Sequence, residues 1–177
     1  MTDKQRHAFD TIISLISEDS RENIREVAEY TVSLSYMPTL RGVRKDYCDF
    51  TNSKMKRTIL KIQTNPRFPF LELKFFAIPT YTACFQRAIE YRLSTWNRLK
   101  YETRCFSCGK CDGKEGYTVT TPDGKEGFLC GFGLLPLPSF SIDDIANVKE
   151  ALRIQDEFFK EKASKNIGRA DAYADNN

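Results

Sequence analysis

The spacing of the hydrophobic residues changes twice along this chain, and this change constrains the fold more than any other feature of the sequence. Near the start, Phe9, Ile12 and Ile16 recur at intervals typical of an amphipathic helix. Between residues 46 and 76 apolar and polar residues alternate, which is typical of strands. After Ser141 the helical spacing returns. The sequence therefore predicts an α+β fold with helices at both ends and strands between them.

A chain of 177 residues is long enough for one domain with its own core. We expect an antiparallel β-meander at about 46–76, with helices packed on one face. A second β-hairpin is expected at about 116–132, followed by a C-terminal helix. Residues 1–163 are predicted to form a single α+β domain with a cysteine-rich, metal-binding insert at about 105–131. Residues 164–177 lack an apolar period and are predicted to form a flexible tail.

Local signals predict where several elements begin and end. Ser20 is interpreted as the N-cap of a second helix that ends at Pro38, with a loop as far as Gly42. Pro79 is interpreted as the start of a middle helix. Residues 134–138 are interpreted as an extended strap that leads into the last helix.

Alternation at the end of the meander assigns side chains to the two faces of the sheet. Leu71, Leu73 and Phe75 fall on the core face. Glu72 and Lys74 fall on the opposite face, which is expected to be in contact with water.

Several classes of protein are not supported by the sequence. There is no run of 18 apolar residues, so no membrane partner is expected. Residues 1–9 are polar where a secretory signal needs an apolar segment, which favours a cytoplasmic location. The phosphate-binding loop, the dinucleotide fingerprint, H-E-x-x-H and G-x-S-x-G are all absent. The sequence thus favours a non-enzymatic protein.

Four of the six cysteines lie within one short segment, with the spacing C-x2-C-x2-C-x18-C: Cys105, Cys108, Cys111 and Cys130. A Cys-x-x-Cys-Gly sequence lets two thiolates face one metal ion. With Asp123 and Gly124 as the hairpin turn, Cys130 lies opposite Tyr117, close in space to Cys111. The pattern therefore predicts a structural zinc site of four thiolates.

Other chemistries for these cysteines stay open. The first three spacings match the bacterial ferredoxin run, but its final Cys-Pro is missing, so an iron–sulfur cluster is one alternative. A disulfide or free thiols are another, because no second Cys-x-x-Cys follows. Cys48 and Cys84 fall on apolar faces and are interpreted as buried core residues.

The net charge of +3 is unevenly distributed along the chain. The segment 41–100 is strongly basic, while both flanking segments are acidic. Cations with interleaved aromatic residues are typical of surfaces that bind single-stranded nucleic acid. A solvated sheet face, or ion pairs within the protein, is the alternative interpretation. The candidate anion-binding residues are Arg41, Arg44, Lys45, Lys54, Lys56, Arg57 and Lys61.

Aromatic residues near the sheet also raise the prospect of a ligand pocket between sheet and helices. Its expected lining is Tyr47, Phe76, Tyr81, Tyr91 and Trp96, with Arg44 or Arg57 orienting an anion. The alternative is that these aromatic side chains simply fill the core.

Together these patterns predict a small non-enzymatic binding or regulatory domain. It would have a structural four-cysteine zinc site and a basic central surface for an anionic ligand or partner. A small enzyme or redox protein that uses the cysteine cluster is the alternative.

Overall fold

The computed structural model describes residues 1–64, 70–95, 111, 113–120, 124 and 126–174, with side chains described as far as Lys165. This part of the chain contains four α-helices and seven strands. The helices are α1 (Asp3–Ser14), α2 (Glu18–Ser33), α3 (Ala83–Thr95) and α4 (Ile145–Ala174), the last preceded by a 3₁₀ turn at Ile142–Asp144.

The strands form two antiparallel sheets, which confirms the predicted α+β class. The larger sheet has the order β1-β2-β3-β4-β7, and strands β5 and β6 form a separate hairpin. The strand bounds are β1 (Met37–Arg41), β2 (Tyr47–Asn52), β3 (Arg57–Gln63), β4 (Leu71–Leu73), β5 (Gly116–Thr120), β6 (Glu126–Cys130) and β7 (Leu135–Leu137).

Both edges of the larger sheet come from segments for which the sequence predicts no strand. The expected loop after Pro38 is strand β1, and the expected strap at 134–138 contains strand β7. Each strand contains a proline, with Pro38 opposite Phe50 and Pro136 opposite Glu72. Proline has no backbone N–H to donate to a second neighbouring strand. It is therefore tolerated in an edge strand, which has only one neighbour.

Helix boundaries differ from the expected ones by a few residues. Thr2 caps α1 with a full capping box, as the sequence allows. The N-cap of α2 is Ser17, not Ser20, and α3 begins at Ala83, later than Pro79 suggests. The backbone of α4 is helical to Ala174, where the sequence predicts a flexible tail. The loss of apolar period thus does not mark the end of this helix.

The core lies between one face of the larger sheet and the helices. The sheet contributes residues such as Phe50, Ile62 and Leu73, all fully buried. Phe75 lies at the junction of sheet, α3 and hairpin, with its ring 4.5 Å from that of Phe85 and 4.8 Å from that of Tyr117. The hairpin is therefore part of the same core.

Asp144 connects the start of the last helix to α3. Its carboxylate accepts hydrogen bonds from the Ser141 N–H (3.1 Å) and from the Arg87 guanidinium (2.9 and 3.0 Å). We expect Asp144→Ala to lower the free energy of unfolding by about 1–3 kcal/mol, because a buried, charge-assisted network is broken. Urea titration measures this loss. Asp143→Ala, at the exposed neighbouring position, is the matched control, and equal losses in the two variants would contradict the assignment.

Candidate metal centre

Cys130 lies at the base of the second hairpin. It pairs with Gly116, not with Tyr117 as the two-residue turn predicts, so the register differs by one residue. The consequence is that Leu129 faces Tyr117 in the core while Cys130 lies on the other face of the hairpin. The Gly131 N–H donates to the Glu115 carbonyl at 2.8 Å, which extends the pairing just past the cysteine.

The hairpin is fixed against the larger sheet by close packing. Tyr117 is fully buried, and its hydroxyl accepts a hydrogen bond from the Phe75 N–H at 3.4 Å. A Cβ atom at Gly131 would lie 2.6 Å from the Phe76 ring and 2.9 Å from the Glu115 carbonyl oxygen. Only glycine allows this approach, so Gly131 lets the end of the hairpin lie close against the segment that follows β4.

Cys111 accepts a backbone hydrogen bond of the kind that stabilises a thiolate. The Gly113 N–H donates to the Cys111 Sγ at 3.3 Å. Gly113 has a φ of +82°, a backbone conformation that favours glycine. Hydrogen bonds to the ligand atoms orient metal-bound side chains and tune the metal.

Four charged side chains are grouped near the base of the hairpin, two of them buried and two partly exposed; we call Arg57, Lys74, Glu115 and Lys162 the hairpin charge cluster. Glu115 is only 4% exposed, and its Oε1 lies 2.6 Å from the Lys162 Nζ and 3.3 Å from the Arg57 guanidinium. Lys74 is 6% exposed, and its Nζ donates to the Phe132 carbonyl at 2.9 Å. The cluster joins strand β3, the end of β4, the hairpin and α4.

Lys74 is buried among other charged groups. Burial, and to a smaller extent the charge of Arg57, lowers the pKa of Lys74 to about 8. Glu115, Cys130 and Cys111 act in the opposite direction.

The sequence places Lys74 on the face in contact with water, and this prediction is wrong. Strand β4 ends at Leu73, so the alternation of faces does not continue to the next residue. The loop that follows the hairpin, through Phe132, covers the Lys74 ammonium. Sequence reasoning also does not single out Glu115 or Lys162, because their contacts join residues 47 positions apart.

The predicted ligand set is described only in part. Cys111 and Cys130 are partly exposed free thiols, whereas Cys105 and Cys108 lie outside the described residues. Among the residues described, no three His, Cys, Asp or Glu side chains converge as a metal site. Cys48 and Cys84 are buried, as expected, and burial raises the pKa of each thiol to about 12.

The basic residues do not form one surface. On the sheet face opposite the core, Asp49 lies directly opposite Lys61, and Lys61 directly opposite Glu72. Arg41 lies 3.6 Å from Asp49, and Lys61 lies 3.4 Å from Glu72. Cations and carboxylates therefore alternate across the strands, and the positive and negative charges on this face balance one another. Arg57 forms an ion pair with Glu115 in the hairpin charge cluster.

The remaining basic candidates lie in two separate turns. Arg44 and Lys45 are in the connection between β1 and β2, and Lys54 and Lys56 are in the turn between β2 and β3. All four side chains are exposed, and within the described part of the chain none forms an ion pair. Strand β2 separates the turns, and six residues of strand span about 20 Å.

The expected pocket residues are dispersed. Phe76 and Tyr81 pack against the Tyr117 ring at 5.9 and 6.3 Å in the core. Tyr47 lies on the sheet face where cations and carboxylates alternate, and the Lys61 Nζ is 5.3 Å from the centre of its ring. Tyr91 is partly buried on α3, and Trp96 lies outside the described residues.

A cavity of about 180 Å³ lies elsewhere, next to the hairpin base. It is lined by Arg92, Leu129, Cys130, Phe132, Gly133, Leu134 and Leu135. None of the expected pocket residues that the structure describes is in this lining.

Comparison with known proteins found no matching family model, curated protein or solved structure. Among the described helices, none combines the length and the apolar character needed to cross a membrane.

Proposed function

We propose that this protein is a non-enzymatic binding domain in which a structural zinc ion fastens the second hairpin to the segment that precedes it. The ligands would be Cys105, Cys108, Cys111 and Cys130. The observation that carries the proposal is the pairing of Cys130 with Gly116, which, with the hydrogen bond from the Gly131 N–H to the Glu115 carbonyl, returns Cys130 to the part of the chain just after Cys111.

The chemistry of four thiolates supports a structural role. Zinc bound by four cysteines is tetrahedral and has no open position for a substrate. The proposed ion would join the segment before β5 to the end of β6, in addition to the backbone pairing of Gly116 with Cys130. A two-stranded hairpin is marginally stable alone, and a metal at its base would hold the two strand ends together.

The metal content of freshly purified protein tests this proposal. We expect about one zinc per chain, and on replacement by Co²⁺ the absorption spectrum of a tetrahedral thiolate site. Cys108→Ser, Cys111→Ser and Cys130→Ser should each reduce the zinc content, while Cys48→Ala and Cys84→Ala, matched controls away from the site, should retain it. Brown protein with bound iron and sulfide would instead favour an iron–sulfur cluster. Metal-free protein with four reactive thiols would refute any metal centre.

The binding partner in this proposal is anionic and contacts the connection between β1 and β2. Arg44 and Lys45 are exposed there, next to Arg41 at the end of β1. Val43, which lies between Arg41 and Arg44 in the sequence, is fully exposed. The alternating charges of the sheet face argue against a broad basic surface, so a contact at this connection accounts better for the exposed cations.

Binding of single-stranded DNA and RNA at two salt concentrations tests this part. Arg44→Ala combined with Lys45→Ala should weaken binding and reduce the slope of log affinity against log salt by about two, one for each lost phosphate contact. Lys54→Ala with Lys56→Ala removes the same charge from the other turn and should leave the slope unchanged. Wild-type affinity weaker than about 1 mM at low salt would exclude nucleic acid as the ligand.

A further inference from the structure

We propose that the cavity beside the hairpin base binds a small carboxylate with a compact apolar body, and that the guanidinium of Arg92 receives the carboxylate group. The proposed function above does not use this cavity. The inference rests on the volume of the cavity, on the apolar side chains of its walls and on the one cation among the described residues that line it.

The volume of the cavity limits the size of the ligand. At about 180 Å³ it is smaller than the roughly 300–1,000 Å³ of pockets that hold drug-sized molecules. It is close to the roughly 150 Å³ of an engineered apolar cavity that binds benzene. The cavity therefore fits a single ring or a short alkyl chain, and it is too small for a nucleotide.

Apolar side chains on fixed strands form the walls. Leu129 in β6 and Leu135 in β7 are both buried, and Leu135 is paired with Leu73 in the larger sheet. Between these strands, the Phe132 carbonyl accepts a hydrogen bond from the Lys74 Nζ at 2.9 Å. These contacts hold the walls in place before a ligand arrives, which lowers the cost of binding.

Two of the lining residues are exposed and give the cavity an entrance. Phe132 is 65% exposed, and Gly133 beside it is also exposed. A Cβ atom at Gly133 would have no other atom within 4 Å, so there is open space next to this residue. A small molecule can therefore reach the buried leucines from this side.

Arg92 gives the cavity a positive charge. It lies on α3, which packs against β7, and its side chain is partly buried. Burial lowers the pKa of Arg92, while the charge of Glu72 acts in the opposite direction. Glu72 also interacts with Lys61, at 3.4 Å, and with Gln63. A guanidinium stays protonated at neutral pH and matches a carboxylate with two parallel hydrogen bonds. A cation next to apolar walls thus favours a ligand with a negative charge at one end.

Benzoate and hexanoate test the two forms that the apolar body can take. NMR titration of the full-length protein should show that both carboxylates shift the amide signals of Leu129, Gly133 and Leu135. Both should also raise the melting temperature, because they bind the folded state. Benzyl alcohol and hexanol, which lack the charge, should bind more weakly. Acetate, which lacks the apolar body, should shift none of these signals.

Substitution of Arg92 tests the role of the charge. Arg92→Gln should weaken benzoate binding about 10- to 100-fold, the loss expected for a charge-assisted hydrogen bond. Binding of benzyl alcohol should be unchanged, which also shows that the variant keeps its cavity. Arg92→Lys should recover part of the affinity. Arg25→Gln is the matched control, because it removes one positive charge from α2, where Arg25 lies 3.5 Å from Glu22. The control should bind benzoate like the wild type.

Three results would overturn the proposal. Equal losses in Arg92→Gln and Arg25→Gln would mean that benzoate responds only to net charge. Signal shifts confined to residues outside the lining would place the ligand elsewhere. Dissociation constants above about 10 mM for both carboxylates would leave the cavity without this ligand. The proteins are used as purified, without chelator, because Cys130 in the lining is also a proposed zinc ligand. None of these results affects the zinc proposal, which the metal content tests separately.

Discussion

Replacing Phe75 by alanine is expected to lower the free energy of unfolding by about 3–5 kcal/mol, the range for truncation of a buried aromatic side chain. Phe75 is fully buried, and its ring contacts those of Tyr81, Phe85 and Tyr117. These partners lie before α3, in α3 and in the hairpin, so one cavity would weaken three contacts at once. The structure around such a cavity relaxes only in part, which is why the loss exceeds the simple transfer free energy.

Urea titration at a fixed zinc concentration measures this loss. Phe75→Leu keeps much of the volume and should lose clearly less than Phe75→Ala. Val43→Ala is the surface control, because Val43 is fully exposed and its truncation should leave the stability unchanged. A loss below about 1 kcal/mol for Phe75→Ala would contradict the position of this ring at the centre of the core.

Removing zinc with a chelator should destabilise the protein by about 4 kcal/mol when free zinc in the reference sample is about a thousandfold above the dissociation constant. The reason is that the proposed zinc ion would bind the folded protein, whereas the four thiolates do not form a preformed site in the unfolded chain. The effect should be greatest at the hairpin, because the proposed ligands flank strands β5 and β6.

Thermal denaturation with and without chelator, together with hydrogen exchange, checks this expectation. Amides of Gly116–Thr120 and Glu126–Cys130 should lose protection first, while those of β2 and β3 remain protected. Cys130→Ser should have a lower melting temperature that no longer responds to zinc or chelator. Cys48→Ala should still respond to both, since Cys48 lies in β2, away from the hairpin. An identical melting curve for the wild type in chelator and in zinc would contradict a structural metal.

Elements with a strong local signal could be predicted from the sequence. The apolar period of α1 and α4 and the alternation in β2 and β3 identify these elements, because each buries one regular face. A capping box of Ser141 with Asp144, also a local pattern of the sequence, is present at the start of the last helix. The burial of Cys48 in β2 and of Cys84 in α3 follows from the apolar faces of those two elements.

Edge strands and hairpin register could not be predicted in the same way. Strands β1 and β7 are short and contain proline, so their formation depends on a neighbour that offers free backbone groups. Cys130 lies opposite Gly116 because the close approach at Gly131 and the buried Tyr117 fix the hairpin against the sheet. A turn motif alone does not contain this information.

For the candidate site, the sequence by itself determined which cysteines are spaced to share one ion, because the spacing of ligands is a local property of the chain. Only the tertiary structure decided which charges surround them. Arg57, Lys74, Glu115 and Lys162 come from distant segments, and they meet because the hairpin and α4 pack on the same end of the sheet. Lys74 and Glu115 are buried there, so their charges are screened by water less than those of the partly exposed Arg57 and Lys162.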